Sequence, residues 1–137
     1  MIKLVYQNIN THDQKLIDAA TEVLQRNYQQ SRHTVGAAIE CESGKIYVGI
    51  NIESCGYGPC AEPIALGAAL SNGERKFKKI VAVGTEQVMV ISPCGNCRQL
   101  ILEYAPDIEV ILRCNGDVVK MSIAHLLPCP YQNLGKD

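Results

Sequence analysis

The chain has 137 residues, of which 47% are hydrophobic and 20% are charged, and its formal net charge at pH 7 is -1. This composition suits one domain over residues 1–137, and the balanced charge argues against nucleic acid as a partner, because surfaces that bind nucleic acid are basic. The apolar stretches are too short for a membrane span and the N-terminal residues do not resemble a secretory signal, so we expect a cytoplasmic protein without a membrane partner.

Predicted helices and strands alternate along the chain. Apolar residues recur at helical spacing from Thr11, where a capping box is indicated, to about Tyr28. The following segments are a hairpin of residues 34–41 and 45–51, a loop 52–59, a helix 60–72, strands 77–84 and 88–91, a helix 97–104, strands 108–112 and 117–121, and a short helix 122–127. This order predicts an α/β sandwich on one mixed sheet, without internal repeats or linkers.

Seven cysteines are many for this length, but an odd number makes a disulfide framework unfavourable, so the thiols either pack or bind metal. Two segments place cysteine at the start of a predicted helix, and they read Pro59-Cys60-Ala61-Glu62 and Pro93-Cys94-Gly95-Asn96-Cys97-Arg98. Helix starts lower thiol pKa values, so Cys60, Cys94 and Cys97 are the candidate metal ligands. We expect the other cysteines to pack, namely Cys41, Cys55, Cys114 and Cys129.

Three thiolate ligands leave one tetrahedral position of a zinc ion open for water, which is typical of a catalytic site. Glu62 follows a ligand by two residues and is predicted to carry protons beside that water without binding the metal. Arg98 is expected to offset the charge of three thiolates. A Cys-x-Glu motif followed by Pro-Cys-x-x-Cys is the signature of zinc-dependent nucleobase deaminases. We therefore predict one zinc ion per chain and hydrolytic deamination.

Other functions fit part of this pattern. A Cys-x-x-Cys pair alone is more often a structural zinc site or a redox dithiol, so a thiol oxidoreductase using Cys94 and Cys97 remains an alternative. A zinc-stabilised binding module without turnover is another alternative. Cys60 and Glu62 supply a third ligand and a base together, and this combination favours the deaminase interpretation.

From about Val35 to Tyr131 the sequence resembles the cytidine deaminase family. The motifs are Val35-Gly36-Ala37-Ala38, Asn51-Ile52-Glu53, Cys60-Ala61-Glu62, Pro93-Cys94-Gly95-Asn96-Cys97-Arg98-Gln99, and Leu126-Leu127-Pro128 with Tyr131. The resemblance implies a three-layer α/β/α sandwich with one mixed five-stranded sheet, and a homotetramer with active sites near subunit boundaries. It also implies that Asn51 and Glu53 hold the ribose and that Tyr131 binds substrate. The implied reaction converts cytidine or deoxycytidine to the uracil nucleoside and ammonia, as in pyrimidine salvage.

Three features depart from that family. Pro63 follows the Cys-Ala-Glu motif where cytidine deaminases have Arg, the loop 51–60 is about two residues shorter, and His33 replaces a base-stacking Phe. The segments Gly58–Glu62 and Ile91–Gly95 instead resemble blasticidin-S deaminases, which act on the cytosine of an aminoacyl-sugar antibiotic. We predict cytidine or deoxycytidine as the substrate, with blasticidin S as the alternative.

Overall fold

A computed structural model describes residues 5–84 and 87–132, and its strands form one mixed sheet. The strands are β1 (Gln7–Asn8), β2 (Val35–Cys41), β3 (Ile46–Ile50), β4 (Phe77–Gly84), β5 (Met89–Ile91), β6 (Glu109–Cys114) and β7 (Asp117–Ser122). The helices are α1 (Thr11–Asn27), α2 (Ala61–Ser71), α3 (Gly95–Tyr104) and α4 (Ile123–Leu126). The alternation predicted from the sequence is confirmed.

The strand order is β1-β7-β6-β4-β2-β3, and β5 pairs with the end of β4. Strands β4 and β6 are parallel, because the chain crosses the sheet through α3 between them, and the other pairs of described strands are antiparallel. The described part of the sheet has seven strands rather than the five that the family resemblance implies. The difference comes from β1 and β5, which have two and three residues and leave little alternation in the sequence.

Helices cover both faces of the sheet, so the predicted three-layer architecture is confirmed. Successive residues of β2 point to opposite faces: Ala38 packs in the cluster formed with α1, whereas Ala37 and Ile39 pack in the cluster formed with α2 and α3. Strand β4 has a continuous apolar run because helices cover this central strand on both faces. None of the helices in residues 5–84 and 87–132 has the length and apolar character needed to cross a bilayer.

The capping box of α1 lies one residue earlier than the predicted start at Thr11. Asn10 Oδ1 accepts a hydrogen bond from the Asp13 amide at 2.9 Å, and the Asn10 amide donates to Asp13 Oδ2 at 2.9 Å. Asn is at least as good an N-cap as Thr, which explains the shift. Asp13 is fully buried and also accepts from Lys79 on β4 and Lys120 on β7, so one carboxylate ties α1 to both strands.

Candidate active site

The starts of α2 and α3 meet at one edge of the sheet, and each start carries a cysteine. Cys60 is the N-cap residue of α2 and Cys94 is the N-cap residue of α3, and neither side chain caps its own helix. Cys97 lies one turn further along α3 and is buried. The Sγ atoms of the three residues lie within 4.8 Å of one another, so the structure brings all three predicted ligands together.

The arrangement of these sulfur atoms fits a zinc ion. Zn–S bonds of about 2.3 Å in tetrahedral geometry place two sulfur ligands about 3.8 Å apart. The distance from Cys60 Sγ to Cys94 Sγ is 3.8 Å, far longer than the roughly 2.05 Å of a disulfide, and all seven cysteines are free. Thiolates are soft ligands that suit zinc. The donor set therefore fits one zinc ion better than a dithiol redox centre.

The surroundings of the three thiols affect them differently. Burial acts to raise the pKa of Cys94, but hydrogen bonds from the amides of Cys97 and Asn96 and from the neighbouring thiols lower it overall. Burial raises the pKa of Cys60 and of Cys97, and the negative charge of the nearby Glu62 carboxylate acts in the same direction on both thiols. Three thiolates and a carboxylate this close repel one another, so a cation at their centre stabilises the charged forms.

Glu62 stands in the first turn of α2, two residues after Cys60. Its side chain is only 5% exposed, yet it lines the same cavity as Cys60 and Cys94. Burial raises the pKa of Glu62 above the ordinary value for a glutamate. A carboxyl group whose pKa is raised towards the working pH accepts a proton more readily than an ordinary glutamate, which suits general acid-base chemistry.

The cavity beside the cysteines has a volume of about 190 Å³. Its wall combines Cys60, Cys94 and Glu62 with Asn51 and Glu53, which follow β3. The apolar residues Val35 and Ile91 also line it. Sequence-predicted residues from two separate motifs, Asn51-Ile52-Glu53 and Cys60-Ala61-Glu62, thus face one space. Polar groups at a small cavity with apolar walls are typical of a site for a small molecule.

Asn51 is 4% exposed, and its side chain forms four hydrogen bonds within the cavity wall. Its Oδ1 accepts hydrogen bonds from the amides of Thr34 at 2.8 Å and Val35 at 3.0 Å. Its Nδ2 donates to Glu53 Oε1 at 2.9 Å and to the Arg32 carbonyl at 3.4 Å. Asn51 therefore joins the end of β3 to the start of β2, and it holds the carboxylate of Glu53.

Two predicted site residues have other surroundings. Tyr131 does not line the cavity; it lies in a separate groove beside α3, where its carbonyl accepts from Gln99 Nε2 at 3.2 Å and its side chain is 75% exposed. Arg98 donates from Nε to the Pro93 carbonyl at 2.8 Å and from Nη1 to the Leu126 carbonyl at 3.1 Å. These bonds fix the loop before α3 against α4, and the role of Arg98 in balancing charge stays a prediction.

The sequence interpretation missed two residues of the site, Thr34 and Ser92, which line the cavity. Ser92 Oγ donates to the Arg113 carbonyl at 2.7 Å, which fixes the residue before Pro93. A signal was present, since each of the two directly precedes a recognised motif. His33, which stands where the family has a base-stacking Phe, instead places Nδ1 2.8 Å from the carbonyl oxygen of Asn51.

Comparisons with known proteins agree with this geometry. Residues 10–113 match the family model described as the cytidine and deoxycytidylate deaminase zinc-binding region. A blasticidin-S deaminase of Bacillus cereus is 41% identical over 133 residues, which cover 90% of this chain and 95% of that protein. A cytidine deaminase of Sporosarcina psychrophila is 38% identical over 120 residues, covering 84% and 88%. The crystal structure of a cytidine deaminase from Burkholderia pseudomallei matches with a TM-score of 0.73 at 38% identity, covering 90% and 100%.

Proposed function

The chain belongs to the family of cytidine and deoxycytidylate deaminases, and from this membership we propose its substrate and the roles of its site residues. The protein is a zinc-dependent hydrolytic deaminase. We propose that it removes the 4-amino group of a cytosine nucleoside and releases ammonia. The observation that carries this proposal is the cluster of three thiols at a cavity that is also lined by a buried glutamate, Glu62.

In the proposed site, Cys60, Cys94 and Cys97 hold one zinc ion. When bound, zinc supplies Lewis-acid chemistry that lowers the pKa of water enough to make it a nucleophile at neutral pH. The fit rests on the 3.8 Å separation of the Cys60 and Cys94 sulfur atoms and on the soft character of the donors.

Glu62 is the proposed proton carrier. Its carboxylate takes a proton from the water as the water oxygen bonds to C4 of the cytosine, and gives this proton to ring nitrogen N3. It then moves the proton of the new C4 hydroxyl to the 4-amino group, so that the C4–N bond breaks, ammonia leaves and a carbonyl remains at C4. Burial beside the cavity supports this role, because it disfavours the charged carboxylate and so raises the pKa of Glu62.

The proposed substrate is cytidine or deoxycytidine, with Glu53 on the sugar. Glu53 and Cys60 line the same cavity, so a base beside the cysteines leaves its sugar within reach of Glu53. A carboxylate accepts hydrogen bonds from hydroxyl groups. The Glu53 carboxylate accepts a hydrogen bond from the Asn51 amide, and no lysine or arginine in the part of the chain that the structure describes forms an ion pair with it. This arrangement suits a sugar with free hydroxyl groups.

Blasticidin S is the second candidate substrate. The blasticidin-S deaminase of Bacillus cereus is 41% identical to this chain over 133 residues, a higher identity over a longer match than the 38% over 120 residues of the Sporosarcina psychrophila cytidine deaminase. Pro63 also follows the Cys-Ala-Glu motif in place of the Arg typical of cytidine deaminases.

The deciding experiment measures ammonia release from cytidine, deoxycytidine and blasticidin S by the purified zinc-loaded protein. We expect both nucleosides to be turned over faster than the antibiotic. Efficient release from blasticidin S with negligible release from the nucleosides would move the protein to the antibiotic-deaminating branch. Bound zinc without ammonia release from any of the three would support the binding-module alternative.

Assembly and location belong to the proposal as well. A homotetramer is supported by the loop 52–59 at the cavity, where Tyr57 is 80% exposed and Ile52 is 45% exposed. Large apolar side chains this exposed often mark a surface that a partner covers.

A cytoplasmic location is supported by the seven free thiols, since a reducing compartment keeps thiols from forming disulfides.

A further inference from the structure

Strand β5 lies where the two parallel strands of the sheet separate. Strands β4 and β6 pair only through residues 79–81 and 109–111, and the next residues of β4, 82–84, pair with β5 instead. Strand β2 occupies the opposite edge of β4 as far as Gly84, so β5 lies on the side of β6. Within the described residues β5 pairs with β4 alone, and no backbone ladder joins it to β6.

The β5 segment, residues 89–94, forms part of the cavity wall through Ile91, Ser92 and Cys94. We propose that Arg113 of β6 is a positioning residue, which holds this segment in place beside the cavity and takes over the task of the missing ladder. The inference deepens the proposed function and rests on it, because the segment carries the proposed zinc ligand Cys94 and part of the proposed substrate site.

The first argument is the set of hydrogen bonds that Arg113 forms. Its Nε donates to the Val90 carbonyl at 3.1 Å, and its own carbonyl accepts from Ser92 Oγ at 2.7 Å. Its Nη1 donates to the Gly116 carbonyl at 2.9 Å, in the turn between β6 and β7. Arg113 therefore joins β6 to two residues of the β5 segment, and the turn fixes the direction of its guanidinium.

The second argument concerns the carbonyl that Arg113 reaches. Carbonyl groups of successive residues in a strand point to opposite edges, so in this three-residue strand the Val90 carbonyl is the one directed at β6. Val90 is only 5% exposed, and a buried carbonyl without a donor is costly. A guanidinium holds several N–H donors in a rigid plane, so one arginine can serve the Val90 and Gly116 carbonyls together.

The third argument is that the β5 segment is also held at its far end. Arg98 of α3 donates from Nε to the Pro93 carbonyl at 2.8 Å. Ile91 and Ser92 thus lie between two points that arginines fix, one through Arg113 and one through Arg98. Loss of the Arg113 bond frees the end at β5, and the cavity wall should then lose its fixed position.

The test replaces Arg113 by methionine, which removes the donors and keeps an apolar stem. Hydrogen–deuterium exchange should become about tenfold or more faster in residues 89–94, with exchange in α1 unchanged, because only this segment opens more often. KM for cytidine should rise about fivefold or more, while kcat of the zinc-loaded protein falls less than about twofold, because Glu62 lies on α2, which Arg113 does not hold.

Arg75→Met is the matched control. Arg75 Nη1 also donates to two backbone carbonyls, those of Leu70 and Glu74, at the end of α2 that lies away from the cysteines. This variant should leave KM and the exchange of residues 89–94 unchanged. A merely structural role of Arg113 predicts a lower melting temperature with KM and local exchange unchanged, and that result, or equal effects of the two variants, would overturn the inference.

Ser92→Ala removes the second bond from the side of the β5 segment. Its effect on exchange should add less than about twofold to that of Arg113→Met, because the two bonds hold one segment and are coupled. Effects that multiply would contradict this coupling and with it the role of Arg113.

Two further outcomes are kept distinct. If Arg113→Met does not fold, Arg113→Lys keeps the charge but cannot hold both carbonyls with one rigid group, and it must show the same local increase in exchange. A wild-type protein inactive on cytidine refutes the proposed function, whereas the exchange of residues 89–94 decides the role of Arg113 whether or not the protein is active.

Discussion

At the scale of single residues, the site depends on where ionisable side chains meet the ends of helices. Cys60 and Cys94 occupy N-cap positions and Glu62 stands in a first turn, so backbone amides and the helix dipole favour negative charge there. The same proximity makes the thiols and the carboxylate repel one another. A zinc ion resolves that repulsion, and two predictions about single residues follow from it.

Replacing one ligand tests the metal site. Cys60→Ala should abolish stoichiometric zinc binding, because the two cysteines of α3 alone cannot complete a three-thiolate site. Elemental analysis of the purified variant measures this directly. Cys129→Ala removes an exposed thiol that is not part of the sulfur cluster and should retain one zinc ion per chain. Full zinc content in Cys60→Ala would show that the ligand set is wrong.

Replacing Glu62, the proposed proton carrier, tests the chemistry. Glu62→Gln is nearly isosteric and should keep the zinc and the fold, but kcat should fall by about a hundred- to ten-thousand-fold or more, because an amide cannot carry a proton. Steady-state ammonia release together with zinc analysis gives both quantities. Near-normal turnover with the metal retained would assign the proton transfers to another group.

At the scale of elements, the site depends on how closely helices approach the sheet. A Cβ atom added to Gly49 of β3 would lie 2.6 Å from the Ala65 amide nitrogen of α2, so only glycine allows this close packing. The start of α2 is thereby held beside the start of α3. On the opposite face, α1 is anchored through the fully buried Asp13, which pairs with Lys79 and Lys120.

This anchor predicts acid sensitivity. Burial opposes the charge on Asp13, but hydrogen bonds from Lys79 and Lys120 outweigh it and lower the pKa of Asp13 below the ordinary value of 3.8. A lowered pKa in the folded protein contributes stability above that ordinary value, and the contribution is lost as the pH falls through the lower folded pKa. Below pH 3.8 the free energy of unfolding should therefore decline, in part through this group.

Asp13→Asn isolates the contribution of the carboxylate. At pH 7 it should lower the free energy of unfolding by about 3 kcal/mol or more, because the buried Lys120 and the partly buried Lys79 lose their partner. The difference from wild type should shrink as the pH drops below 3.8. Urea unfolding at a series of pH values measures both effects, and Asp18→Asn, on the exposed face of α1, is the matched control. A pH-independent difference would contradict the assigned ionisation.

At the scale of the whole molecule, exposed apolar surface lies near the site and beside α3. The loop 52–59 exposes Tyr57 and Ile52 at the cavity, and a groove of about 430 Å³ beside α3 is lined by Leu102, Pro130 and Tyr131. Tyr131 does not reach the cavity of its own chain, so a role at a substrate site would have to involve a neighbouring copy. Single-domain organisation over residues 1–137 stays a prediction.

Assembly can be tested in solution. The 15.0 kDa chain should sediment at micromolar concentration as a particle of about four times that mass, because burying these apolar side chains stabilises association. Tyr57→Gln removes the most exposed aromatic side chain of the loop and should shift the distribution towards smaller species. A fully active monomer would rule out the need for a neighbouring copy.

Features that depend on local spacing along the chain can be inferred from the order of the amino acids alone. Helical and alternating periodicities predicted α1 to α4 and the main strands, and the separation of Cys94 and Cys97 by one helical turn placed two thiols together. The position of Cys60 at a second helix start gave the third candidate ligand, with Glu62 two residues further along. Strand β5 was predicted over residues 88–91, whereas β1 escaped this reasoning, since its two residues are too few to show a period.

Contacts between distant segments, by contrast, became known from the folded structure. It joined Cys60 to Cys94 across 34 residues and Lys120 to Asp13 across 107, it gave Asn51 its four partners, and it placed Tyr131 outside the cavity. Periodicity reports which face of an element is buried but not which element covers it. Those neighbours are set by the order of strands in the sheet and by the close approach of α2 to β3 at Gly49, and both depend on the packing of the whole chain.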